Sequence, residues 1–185
     1  TQEAGLASGM GSMSMAFADI EGDGDLDIYV ANFRPETIMD APSTRFQGRP
    51  INGVPTITHV DGQPVTLPVY TNRFEITSAG KIIEYGQEDR LFINNGQGRF
   101  EAASFTDGRF LDEHGNALLK APGDWGLAVQ FHDINADGAP DLYVCNDLHT
   151  PDRVWMNQGD GRFKALDTLS LRNTSTFSMG VDFAD

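Results

Sequence analysis

Asp19-Ile20-Glu21-Gly22-Asp23-Gly24-Asp25-Leu26-Asp27 decides how this chain is read, because Asp133-Ile134-Asn135-Ala136-Asp137-Gly138-Ala139-Pro140-Asp141 repeats its layout later. Oxygen-bearing side chains recur at loop positions 1, 3, 5 and 9, with glycine at position 6. A hard cation such as Ca²⁺ takes six to eight oxygen ligands at roughly 2.3–2.6 Å, and a tight loop supplies several at alternate positions. A polar turn is the plainer alternative, since Asp and Gly are the usual turn residues. Two copies, each crowding carboxylates that repel unless a cation sits between them, favour a metal cage. Calcium is preferred to magnesium, whose tightly held hydration suits an all-protein cage poorly.

The loops are not EF-hands. That motif needs a bidentate Glu at position 12 and flanking helices, whereas position 12 is Val30 in the first loop and Val144 in the second. Leu26, Ile28 and Val30 alternate with Asp27, Tyr29 and Ala31, and Leu142 and Val144 alternate with Asp141, Tyr143 and Cys145. This period of two predicts a strand after each loop.

The repetition extends well past the loops. Gly11-Ser-Met-Ser-Met-Ala-Phe-Ala-Asp19, Trp125-Gly-Leu-Ala-Val-Gln-Phe-His-Asp133 and Phe177-Ser-Met-Gly-Val-Asp-Phe-Ala-Asp185 are three copies of one strand. In the first, Met13, Met15 and Phe17 alternate with Ser12, Ser14 and Ala16, predicting one bulky face and one small face. Asp89-Arg-Leu-Phe-Ile-Asn-Asn-Gly-Gln-Gly-Arg-Phe100 matches Asp152-Arg-Val-Trp-Met-Asn-Gln-Gly-Asp-Gly-Arg-Phe163, each a strand, a Gly-containing turn and another strand. One unit therefore has four antiparallel strands, the blade of an all-β propeller. We expect a first blade over about 9–104 interrupted by an insertion at 33–88, a second over about 123–168, and the start of another at 175–185.

These motifs resemble the FG-GAP/VCBS repeat family, the calcium-loop propellers of integrin α-subunit heads and many bacterial surface proteins. The pairing of acidic loop, D-[LI]-Y-V strand and D-R-x-[FW]-x-N-x-G-x-G-R-F is further similar to the subgroup joined to ASPIC/UnbV domains, of the cartilage acidic protein type. The resemblance implies that Asp19, Glu21, Asp23 and Asp27, with the Asp25 carbonyl, bind one structural Ca²⁺. It likewise implies that Asp133, Asn135, Asp137 and Asp141, with the Ala139 carbonyl, bind a second. Glu21 departs from the shorter Asp or Asn usual at position 3. Pro140 removes a backbone donor, which a strand tolerates only where the ladder does not need it. The second loop offers fewer carboxylates, so counting them favours the first loop as a cation site.

Thr1 to Leu6 resemble the tail of a preceding repeat, and Asp185 stands at position 1 of a third loop. Two blades and parts of others do not close a ring of four to eight, so further blades of a longer parent, or self-assembly, are expected. The net charge of −14 and pI near 4.4 argue against nucleic acid. No apolar run approaches the roughly 20 residues needed to span a bilayer. Cys145 is the single cysteine, expected to be a small buried residue. Calcium loops without high-affinity tuning suit extracellular calcium, so a secreted, cell-surface or periplasmic location is expected. Asn173-Thr-Ser175 fits a glycosylation sequon.

The 33–88 insertion carries five basic and six acidic side chains. Asp61-Gly62 and Ala79-Gly80 predict two hairpins within it. The insertion and the 101–124 connection lie opposite the acidic loops in a four-stranded blade, the face where the resemblance places partner binding. They are candidates for recognition of a protein or glycan, with Arg34, Arg45, Arg49, Arg73, Tyr70 and Tyr85 as possible anchors; the alternative is that they cover exposed sheet edges. His59, His114, His132 and His149 show no metal-ligand spacing and have no nucleophile beside them. We expect a non-catalytic calcium-binding recognition or adhesion module, a structural unit of a surface assembly being the alternative and a glycan lyase or hydrolase the third reading.

Overall fold

The computed structural model describes residues 2–167, 170, 174–175 and 177–184. In chain order the strands are β1 (Gly11–Ala18), β2 (Asp27–Phe33), β3 (Phe46–Ile51), β4 (Val54–Val60), β5 (Gln63–Pro64), β6 (Phe74–Ile76), β7 (Ile82–Glu84), β8 (Arg90–Asn94), β9 (Phe100–Ala103), β10 (Phe110–Leu111), β11 (Gly126–His132), β12 (Asp141–Asn146), β13 (Arg153–Asn157) and β14 (Phe163–Ala165). A 3-10 turn, Pro68–Tyr70, is the one helical element among the described residues. The fold is all-β and propeller-like.

The first sheet is an antiparallel meander in the order β1-β2-β8-β9, and the second repeats it as β11-β12-β13-β14. The second sheet gains β10, which lies parallel on the outer strand with Phe110 opposite Phe163. The long insertion folds apart from both, as a three-stranded sheet β3-β4-β5 and the hairpin β6-β7. Asp61 and Gly62 take positive φ at the β4-β5 turn, and Gly80 does so between β6 and β7, as expected. A third turn, Asn52-Gly53, joins β3 to β4 with φ of 51° and 81°. Asn-Gly is the strongest two-residue hairpin signal, so this third hairpin too is marked by its turn residues alone.

The two sheets pack face to face. Tyr29, Ala31 and Leu91 of the first meet Val129, Leu142, Val144 and Trp155 of the second in one buried cluster. Phe105 and Phe110 complete it: they stack at 4.2 Å, and Phe110 also meets Trp155 edge-on at 5.1 Å. The 101–124 connection is therefore partly core, through Phe105 and Phe110, and partly edge cover, through β10.

The predicted faces of β1 need correction. The pairing of β1 with β2 shifts between Ser12 and Ser14, leaving Met13 as an extra residue. A bulge of this kind moves every later side chain to the other face. Ser12 now shares a face with Met15 and Phe17, opposite Asn32, Val30 and Ile28, while Ser14 and Ala16 face the second sheet. Met15 and Phe17 stay 58% and 53% exposed. Leu127 occupies the same bulge position in β11. The third copy of this strand forms no ladder over 177–184, although Ser178 N–H donates to the Asn146 carbonyl at 3.2 Å. Asp185 and Asn173 of the sequon lie outside the described residues.

Candidate cation loops

In the first loop the backbone wraps around one carboxylate. Asp19 Oδ1 accepts the N–H groups of Gly22 and Asp23 at 2.8 and 3.0 Å, and Oδ2 accepts that of Gly24 at 2.9 Å. Asp23 Oδ1 accepts the Asp25 N–H at 3.0 Å. The second loop follows the same plan. Asp133 accepts Asp137 N–H at 3.0 Å and Gly138 N–H at 2.9 Å, and Asp137 accepts Ala139 N–H at 2.9 Å. Asn135 closes on its own loop, its Nδ2 donating to Asp137 Oδ2 at 2.8 Å. Such side-chain to backbone ties are local, which is why short spacing encodes them.

The position-9 carboxylates do something the spacing does not reveal. Asp27 accepts Ile20 N–H at 3.2 Å and Asn94 N–H at 2.9 Å; Asp141 accepts Ile134 N–H at 3.0 Å and Asn157 N–H at 2.8 Å. Each bolts its loop to the third strand of its own sheet. Both are buried, and burial pushes both carboxyls above their usual range, helped by Glu21 and Asp23 at Asp27 and by Asp137 at Asp141. Asp137 is held below that range by the Ala139 N–H and the Asn135 amide. Pro140 sits just before β12 begins, outside the ladder, and its carbonyl accepts Asn157 Nδ2 at 3.3 Å.

Among the described residues no ion pair includes Asp19, Asp23, Asp27, Asp133, Asp137 or Asp141. Nor do three or more His, Cys, Asp or Glu side chains converge as a metal-holding group. An all-oxygen donor set with a buried carboxylate and no basic partner nevertheless suits a hard cation. Glu21 stands apart: its Oε1 pairs with Arg109 Nη1 at 2.9 Å.

Asp89 and Asp152 have a role that repeat alignment alone does not suggest. Asp89 accepts Asn32 N–H at 2.7 Å and the Tyr29 hydroxyl at 2.9 Å, and Asp152 accepts Asn146 N–H and the Tyr143 hydroxyl, both at 2.9 Å. Ser178 adds a third donor to Asp152 at 2.7 Å, whereas Gly126 stands at the matching position beside Asp89. Burial raises the Asp89 carboxyl to about 7, the nearby Asp124 adding to the rise while Asn32, Tyr29 and Arg153 oppose it.

Of the candidate anchors in the insertion, Arg34 holds the Tyr85 and Gly86 carbonyls at 2.7 and 2.9 Å, and Arg73 pairs with Glu84 at 2.7 Å. Both are structural ties within the insertion. Arg45 and Arg49 are exposed. Tyr70, Arg73 and Phe74 line a hollow of about 400 Å³ together with Asp40 and Asp61. The histidines are dispersed: His132 stacks on Phe183 at 4.7 Å, and His149 meets the Tyr85 ring edge-on at 5.9 Å. Cys145 is buried, and its thiol is pushed up to about 11 by burial and the nearby Asp152. No helix among the described residues is long and apolar enough to cross a membrane.

Fold and loops together define an all-β, propeller-like protein with repeated acidic turns. Comparison with protein families finds an FG-GAP-like repeat at residues 133–185, starting at the first carboxylate of the second loop. No curated protein matches the chain.

Proposed function

We propose that this chain is a calcium-stabilised, non-catalytic propeller module of the extracellular or periplasmic space that recognises a protein or glycan. The observation that carries the reading is the duplicated loop, in which a buried position-9 carboxylate with no ion-pair partner follows acidic residues at positions 1 and 5, one copy lying inside an FG-GAP-like repeat. Asp19, Asp23 and Asp27 with the Asp25 carbonyl would hold one ion, and Asp133, Asn135, Asp137 and Asp141 with the Ala139 carbonyl the other. Each ion supplies positive charge to a hairpin crowded with carboxylates, a structural rather than chemical task. The insertion hollow beside Tyr70 and Phe74 is the favoured recognition surface, because aromatic rings next to carboxylates suit both sugar faces and basic side chains.

Thermal unfolding across a calcium titration tests this, with a chelator control and the double variant Asp23→Ala/Asp137→Ala. A ligand that binds only the folded state stabilises it by about 2.7 kcal/mol at one hundred times Kd, so the midpoint should climb in the parent chain and not in the variant. A midpoint that is flat in calcium and chelator alike would overturn the reading. The exposed Met15 and Phe17 face of β1 favours a second role as a structural unit that packs on another blade or on a second copy. Light scattering across a concentration series separates the two.

A further inference from the structure

The two acidic loops are alike in spacing but not in surroundings. Ile20, at position 2 of the first loop, is 1% exposed, while Ile134 at the same place in the second is 39% exposed. The Ile20 side chain belongs to the cluster between the sheets, and its carbonyl accepts Asn157 Nδ2 from β13 at 2.9 Å. The next residue continues the same attachment. Glu21 Oε1 takes Arg109 Nη1 at 2.9 Å, and that nitrogen also donates to the Gly161 carbonyl at 2.9 Å. Arg109 is itself fixed by its own carbonyl, which accepts the Phe163 N–H of β14 at 2.8 Å.

Gly161 shows how closely the Glu21 side chain lies on the second sheet. A Cβ there would stand 2.6 Å from Glu21 Cγ and 2.8 Å from Arg109 Nη1. Gly98, at the same turn position in the first sheet, has nothing within 4 Å. In the second loop the shorter Asn135 bonds inside its own loop instead. We infer that Glu21 is a latch between the two sheets, not a cation ligand, so that the first loop offers a cation three side-chain ligands and is the weaker of the two sites. This reverses the order expected from counting carboxylates, and its second half rests on the calcium reading above.

Calcium titration calorimetry and thermal unfolding of the whole 185-residue chain test it, in an Asp137→Ala background that leaves the first loop alone to be read. Glu21→Gln should leave the affinity within about twofold, because no ligand is lost. Arg109→Gln frees Glu21 to turn toward the loop and should raise affinity about threefold or more, as added ligand charge does. The double variant should return to the Glu21→Gln value. In chelator, each single substitution should lower the midpoint by about 2–4 °C, the double by no more than one of them, as for a part-buried charged pair in a domain of this size. If Glu21→Gln removes binding as completely as Asp23→Ala, the side chain is a ligand and the inference is wrong. Additive losses in chelator would also sink the latch. If the parent chain takes up no calcium while the chelator losses stay non-additive, the calcium reading fails and the latch stands.

Discussion

Asn157 Nδ2 reaches across the boundary between the sheets to the Ile20 carbonyl at 2.9 Å. Asn94 occupies the same place in the first sheet, yet its amide reaches the exposed Leu26 carbonyl in the β1-β2 loop of its own sheet, at 3.2 Å. Removing a donor from a buried acceptor forfeits the bond and strands the partner, at about 1–3 kcal/mol. Asn157→Ala should therefore lose about that much in urea unfolding, and Asn94→Ala clearly less.

Asp89 should give the fold a distinctive pH response. Its folded carboxyl titrates near 7 against an ordinary 3.8, so between those values the folded chain binds the proton that the unfolded chain has released. Stability from this group accordingly falls as pH rises through that window and recovers as pH is lowered toward 4. Thermal midpoints measured from pH 5 to pH 8 should fall more steeply for the parent chain than for Asp89→Asn. Parallel curves would mean that the carboxylate is better solvated than its burial indicates.

Phe110 and Leu119 stand on the same long connection but in opposite settings. Phe110 is fully buried against Trp155 and Phe163, and Leu119 is 98% exposed. Phe110→Ala should cost about 3–5 kcal/mol, while Leu119→Ala should stay within about 0.5 kcal/mol. Equal, small effects in chemical denaturation would show that the connection is not part of the core.

Ala136 takes φ of 60° where the first loop has Gly22 at 73°. A left-handed conformation costs an L-residue about 1–2 kcal/mol, offset in part by glycine's freer unfolded chain. Ala136→Gly should raise stability modestly and Gly22→Ala should lower it. Gly22 has nothing within 4 Å of a would-be Cβ, so any loss there reports backbone strain rather than a clash.

What the sequence discloses here is what short-range chemistry writes. Asp19 and Asp133 gather backbone N–H groups within five residues, and Asp61-Gly62 turns a hairpin with its own dihedrals. Both are legible from local spacing, although Asp61 is also tied to Arg45 by bonds of 2.8 Å that the spacing does not show. The Met13 bulge has no compositional mark, since one extra residue in a ladder is defined only by the partner strand. Arg109 and Glu21 meet through the packing of separate sheets, and the two-residue β10 is too short for any periodicity to show. The buried state of Asp89 is likewise invisible in a motif whose aspartate looks like any other strand-leading polar residue.

The placement of β10 has a consequence for how the chain is made. Phe110–Leu111 pairs along the outer strand β14, and the Ala4 carbonyl accepts the Phe100 N–H of outer strand β9 at 2.8 Å. In both cases the covering segment precedes the strand it covers. During synthesis from the N-terminus, each outer strand leaves the ribosome with its cover already made. The interval in which a bare edge can pair with a neighbouring nascent chain is thereby shortened.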